Sequence, residues 1–218
     1  MKLTAQALAA EVLGTALLTA ATFGTALMAR ELTTDAGLAL LVNSLATGAA
    51  LLVLITVLGP VSGAHMNPAV SLVMALTKAL RPAHAAAYIA AQCAGAVAGV
   101  VLTHAMFAQP LLQTATTHRA GTGLWLAEVV ATFGLILTIL GATRAKANTA
   151  GMVAAYITSA YWFTASTSFA NPAVTLARTL TTSPAAIAAP DAPAYVAAQI
   201  AGALLAAALG TWLFRPKA

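Results

Sequence analysis

The apolar positions of this chain run in long blocks. Six of them lie near 5–29, 37–58, 84–107, 123–142, 149–167 and 194–214, separated by short polar breaks. Each is close to the ~20 residues a helix needs to cross the hydrocarbon layer of a bilayer. Two further apolar runs, 68–77 and 172–180, are too short to cross. Backbone that stops partway through a membrane is tolerated only when packed in protein or lining water. These runs therefore read as re-entrant half-helices, and the expected architecture is all-α: six transmembrane helices plus two half-helices.

Both short runs open on the same tripeptide. Asn67-Pro68-Ala69 precedes Val70-Ser71-Leu72, and Asn171-Pro172-Ala173 precedes Val174-Thr175-Leu176. Proline suits the first helical position and asparagine the cap before it. Each motif should start a helix inside an apolar region, leaving unpaired N–H groups and a partial positive charge that only a polar ligand or pore water could use.

Other features recur in the same order. Ala10-Glu11-Val12 matches Ala127-Glu128-Val129, and the segment Tyr88 to Ala96 matches Tyr195 to Ala203. Three spans per half is an odd number, so the halves, about 1–107 and 123–218, take opposite polarity in one channel domain spanning 1–218. Inverted repeats of this kind place their working site at the midplane, where broken helices meet.

Composition agrees with a chain dissolved in lipid. It is 61% hydrophobic and 7% charged, with a mean hydropathy of +0.89, whereas a soluble domain carries about a quarter charged residues. The net charge of +5 comes from scattered basic residues rather than a basic face, so no nucleic-acid partner is expected. Cys93 is the single cysteine, which rules out an intrachain disulfide, and no metal site or cofactor is indicated. The stretch Leu3 to Ala29 exceeds the roughly 7–15 apolar residues of a signal-peptide core and contains Glu11. It reads as a retained first span. Lys2, Lys78, Arg81, Arg144, Lys146, Arg215 and Lys217 fall on one side of a six-span arrangement, and Arg30, Arg119 and Arg178 on the other. The positive-inside rule then puts both termini in the cytoplasm of a multi-pass plasma (inner) membrane protein.

The paired Asn-Pro-Ala motifs, the Ser62-Gly63-Ala64-His65-Met66 lead-in, the two helix-start glutamates and the Tyr-x-Ala-Ala-Gln-x-Ala-Gly pair together resemble the aquaporin (major intrinsic protein) family over essentially the whole chain. The resemblance implies a passive channel, not an enzyme, for water and small uncharged solutes, assembled as a homotetramer with a pore in each subunit. It implies that Asn67 and Asn171 turn their amides to the pore, and that Glu11 and Glu128 accept hydrogen bonds from the loops carrying the half-helices. His65 either lines the cytoplasmic half of the pore or is bonded within its loop.

In water-selective relatives an outer constriction is built from an aromatic, a histidine, a small residue and an arginine three places after the second asparagine. By register the equivalents here are Thr47, Ser159, Ser168 and Val174, with Ala160 or Tyr161 replacing Ser159 after a shift of one or two residues. This filter is wider and lacks the guanidinium. It resembles a bacterial subgroup associated with arsenic-resistance genes, which implies passage of metalloid hydroxides such as arsenous acid, or of small polyols. Arg178 lies four residues beyond Val174 and, at a rise of ~1.5 Å per residue, ~10 Å from Asn171 along the half-helix. It either charges the external vestibule or snorkels to the lipid interface. A secondary active transporter is the competing functional class, since such proteins also use inverted repeats and broken helices.

Overall fold

The computed structural model describes residues 3–215. Lys2 and Lys217, two of the basic residues weighed for orientation, lie outside the described residues. Helices α1 (Ala5–Leu32), α2 (Ala36–Ser62), α3 (Pro68–Leu76) and α4 (Pro82–Met106) form the first half. Helices α5 (Thr122–Arg144), α6 (Thr149–Phe163), α7 (Pro172–Ala177, prolonged by a 3-10 turn over Arg178–Leu180) and α8 (Ala192–Leu213) form the second.

Polar caps set most starts, as their chemistry requires. Thr4, Asp35, Asn67, Asn148 and Asn171 each accept a hydrogen bond from a backbone N–H of the helix they open. Helix α2 runs four residues past its apolar stretch and through Pro60, ending at Gly63, whose φ of 85° suits only glycine without strain.

Among the described residues five helices are long and apolar enough to cross a membrane. Of the six spans expected from the sequence the exception is α6, with 15 residues, which at ~1.5 Å per residue reaches ~22 Å. The apolar stretch had suggested a helix to 167. The helix instead stops at Phe163, and the chain continues in an irregular segment with left-handed residues at Thr167, Ser168 and Ala170.

Helices α1 and α4 pack closely, and α5 and α8 do the same in the second half. Glycine makes this possible. A Cβ at Gly95 would run into the Val12 carbonyl, and one at Gly202 into the Val129 carbonyl. These are equivalent positions of the two halves, so the small residues serve backbone approach between helices. Many large apolar side chains face outward, including Leu45, Val53 and Val57 of α2 and Leu126 and Val130 of α5. In water such a surface would be a liability; in lipid it costs nothing. Helices α3 and α7 are enclosed by this frame and touch each other.

Candidate functional site: a conduit between two broken helices

The site is assembled on two buried carboxylates. Glu11, fully buried in α1, accepts from Ser62 Oγ at 2.7 Å, His65 N at 2.9 Å, Met66 N at 2.7 Å and Gln92 Nε2 at 2.7 Å. Glu128, equally buried in α5, accepts from Phe169 N and Ala170 N, both at 2.9 Å, and from Gln199 Nε2 at 2.6 Å. Each glutamine also donates into the half-helix beside it, Gln92 to Ser71 Oγ and Gln199 to Thr175 Oγ1, both at 2.8 Å. A carboxylate accepting several donors satisfies the cost of its own burial. Here it also holds a loop that has no regular structure to hold it.

The carboxylates orient the loops as well. Across a planar trans peptide the carbonyl points opposite to the N–H, and no described peptide bond is cis. With the His65 and Met66 amides turned to Glu11, the Ala64 and His65 carbonyls point the other way, toward the cavity those residues line. The Ser168 and Phe169 carbonyls do the same in the second half. Left-handed residues at Ala64, Met66, Ser168 and Ala170, with φ of 47–52°, make this run of co-directed carbonyls possible. Sequence reasoning missed this carbonyl track. Its signal is present only as the glutamate–glutamine repeat.

The two motifs meet tip to tip. Asn67 Oδ1 caps its own helix at Ala69 N (2.9 Å), while its Nδ2 donates to the Ala170 carbonyl at 2.7 Å. Asn171 Oδ1 caps at Ala173 N (3.1 Å), and its Nδ2 donates to the Met66 carbonyl at 2.8 Å. An amide nitrogen has two protons. One is spent across the junction, and the other remains for whatever occupies the cavity.

A cavity of about 370 Å³ passes both asparagines. It runs from Thr143 and Thr149 at the α5–α6 turn, past His65, to Thr47, Tyr161, Ser168, Val174 and Arg178. One wall carries the loop residues; the other is apolar, from Leu18, Leu51, Leu135, Val153 and Ile157. A second cavity of about 520 Å³ continues from the outer end, sharing Tyr161 and Arg178 and adding Arg30, Asp35 and Arg119.

Thr47, Ser168 and Val174 line the first cavity together with Tyr161 and Arg178, the two residues it shares with the second one. Ser159 does not. It is exposed, and its hydroxyl donates to the Tyr156 carbonyl at 2.7 Å. Tyr161 occupies that place, its hydroxyl 3.1 Å from Thr47 Oγ1. Two residues along a helix turn a side chain by ~200°, which is the whole of the discrepancy. His65 lines the cavity, and its Nδ1 lies 3.0 Å from Ser71 Oγ. Arg178 does not snorkel to the lipid interface. It is 4% exposed, donates from Nη1 to the Ala185 carbonyl at 2.8 Å and lies over the Phe169 ring at 3.7 Å. Its Nε has no hydrogen-bond partner among the described residues. Arg119, from the segment between α4 and α5, lines the second cavity and is a residue that the sequence did not single out for the site. Its side chain donates to the Ala186 and Pro184 carbonyls, and its guanidinium lies 5.7 Å from the centre of the Phe169 ring.

An all-helical frame with two broken helices meeting at one conduit defines a membrane channel. The family described as Major intrinsic protein matches residues 2–165, and the chain belongs to it: it is an integral membrane channel, not an enzyme. It is 53% identical over 208 residues to the aquaglyceroporin AqpS of Rhizobium meliloti (strain 1021), covering 95% of this chain and 89% of that one. The X-ray structure of the aquaglyceroporin from Plasmodium falciparum has the same fold, with a TM-score of 0.76 over 94% of each chain at 20% identity.

Proposed function

We propose that this chain is a passive channel for water and for small uncharged, polyhydroxylated solutes, with glycerol-like polyols and metalloid hydroxides such as arsenous acid as its larger cargo. The observation carrying this reading is the outer end of the conduit. Val174 stands where a guanidinium would narrow the passage, and Thr47, Tyr161 and Ser168 line the remainder with hydroxyls. A neutral solute larger than water then meets width and hydrogen-bonding partners together. At the junction, amide donors from Asn67 and Asn171 and the N-terminal end of α3 oppose cations. Membership of the family, and the aquaglyceroporin name of the AqpS relative, support solute as well as water transport. We place one channel domain, with repeats about 1–107 and 123–218, in each subunit of a homotetramer in the plasma membrane, both termini cytoplasmic.

Reconstitution into liposomes tests the reading directly. Stopped-flow shrinkage and recovery should show water, glycerol and arsenous acid all permeating down their gradients, at rates unchanged when Na⁺ or H⁺ gradients are imposed or collapsed. Solute uptake that follows an imposed ion gradient would instead mark a secondary transporter. In the same assay Arg178→Ala should leave the ranking of neutral solutes intact while admitting small cations. Cation leak no greater than that of the parent chain would remove the vestibule role of Arg178.

A further inference from the structure

Three hydroxyls bridge α1, α2 and α6 at the outer end of the cavity. Thr22 Oγ1 lies 3.3 Å from Thr47 Oγ1, and Thr47 Oγ1 lies 3.1 Å from Tyr161 Oη. Each hydroxyl has a single proton, and the chain can be followed by spending those protons in order. Thr22 gives its proton to the Leu18 carbonyl, 3.0 Å away in its own helix. By distance either oxygen could supply the proton in the other two contacts; all three contacts are filled at once only when Thr47 donates to Thr22 and Tyr161 donates to Thr47. In that arrangement Tyr161 keeps only lone pairs for the cavity it lines.

We propose that Thr22 is a positioning residue that sets the hydrogen-bond polarity of the external mouth: through it the hydroxyl wall accepts and does not donate. A permanent donor lies at the same level. The Arg178 guanidinium, which has no acceptor atom, belongs to a residue lining the same cavity, and its direction is held by the Phe169 ring and the Ala185 carbonyl. A solute crossing the mouth meets acceptors on the α2–α6 side and donors on the loop side. The chemical class that satisfies both at once is a neutral molecule with two or more hydroxyls on adjacent atoms or on one centre, one donating while another accepts. Water donates and accepts through one atom and is nearly indifferent to the arrangement. This inference rests on the reading of the chain as a small-solute channel.

Thr22→Val tests it at nearly constant shape. Without the Thr22 oxygen, Thr47 turns its proton to Tyr161, and Tyr161 presents a donor to a mouth already furnished with donors. The ratio of glycerol to water permeability in proteoliposomes should fall about fivefold, the scale of one net neutral hydrogen bond, and Thr22→Ser should restore it. The tyrosine Fermi-doublet intensity ratio in Raman spectra reports whether a phenol donates or accepts. With the Tyr161 contribution isolated by subtracting Tyr161→Phe, the ratio should move toward acceptor character in Thr22→Val and stay at the parent value in Thr22→Ser. An unchanged doublet in Thr22→Val overturns the relay whatever the flux does, since it is read with no solute present. A shifted doublet with an unchanged permeability ratio overturns the link to selectivity. A parent chain that passes no glycerol overturns the channel reading for polyols instead.

Discussion

Glu128→Leu should abolish solute and water flux and sharply lower the unfolding temperature of the detergent-solubilised protein. Leucine has nearly the volume of glutamate, so the packing of α5 changes little; what is lost is the acceptor. Phe169 N, Ala170 N and the Gln199 amide all donate to this one carboxylate. Each buried donor left unsatisfied costs about 1–3 kcal/mol, and water cannot reach a residue with no exposed surface. The loop then loses the orientation that turns its carbonyls to the cavity and presents Ala170 O to Asn67. Glu128→Gln keeps one acceptor oxygen but sets an amide against a donor, and should fall between the two. Thermal unfolding followed by light scattering or intrinsic fluorescence, run beside liposome flux, reads both effects. A leucine variant that stays folded and conducts normally would mean that the loop is held by other contacts.

Val174→Arg should reduce glycerol and arsenous acid permeability about tenfold, equivalent to about 1.4 kcal/mol of added barrier, and water permeability by much less. The valine side chain is 5% exposed and stands at the outer end of the conduit beside Thr47, Tyr161 and Ser168. A guanidinium there narrows the passage. It also lies one helical turn from Arg178, so it places a second cation where the mouth already has one. Both effects weigh more on a bulky solute, which must fill the section, than on single-file water. Stopped-flow comparison of the three solutes checks it, and equal losses for all of them would count against size selection at this position.

Duplication made much of this molecule legible before its coordinates. The asparagine caps, the buried glutamates and the paired helices could be placed because each occurred twice in the same order, and an inverted repeat converts order into position. What escaped was whatever a helix period or a loop decides. Counting from Asn171 back into α6 crosses Thr164 to Ala170, where left-handed residues break any regular register, and so Tyr161 was displaced to Ser159. The same segment, made of small hydroxyl residues, alanines and one phenylalanine with no charge, glycine or proline to mark a break, hid the early end of α6. Gln92 and Gln199 were visible as a repeat, yet nothing in their spacing said that each would join a glutamate to a half-helix hydroxyl. Arg119 comes from the long α4–α5 loop, whose course depends on contacts such as Ala115 N with the Thr179 carbonyl and Ala188 N with the Thr117 carbonyl. His104, which from sequence alone reads as an interface or loop histidine, is fully buried and ties that loop between the Leu111 carbonyl and Thr181. Nothing in the sequence sets Thr22 apart from the other threonines of its apolar span. Such roles arise only between residues far apart in the chain.

The crossed amides have a consequence for biogenesis. Asn67 donates to a carbonyl 103 residues downstream, and Asn171 to one 105 residues upstream. During synthesis the earlier tip leaves the ribosome long before its counterpart exists, and it must wait in the bilayer with an unmatched amide and an unmatched carbonyl. Closure of the pore is thus a late event. A nascent chain halted between the two tips holds a half-built water path, an open target for quality-control proteases until the second tip arrives.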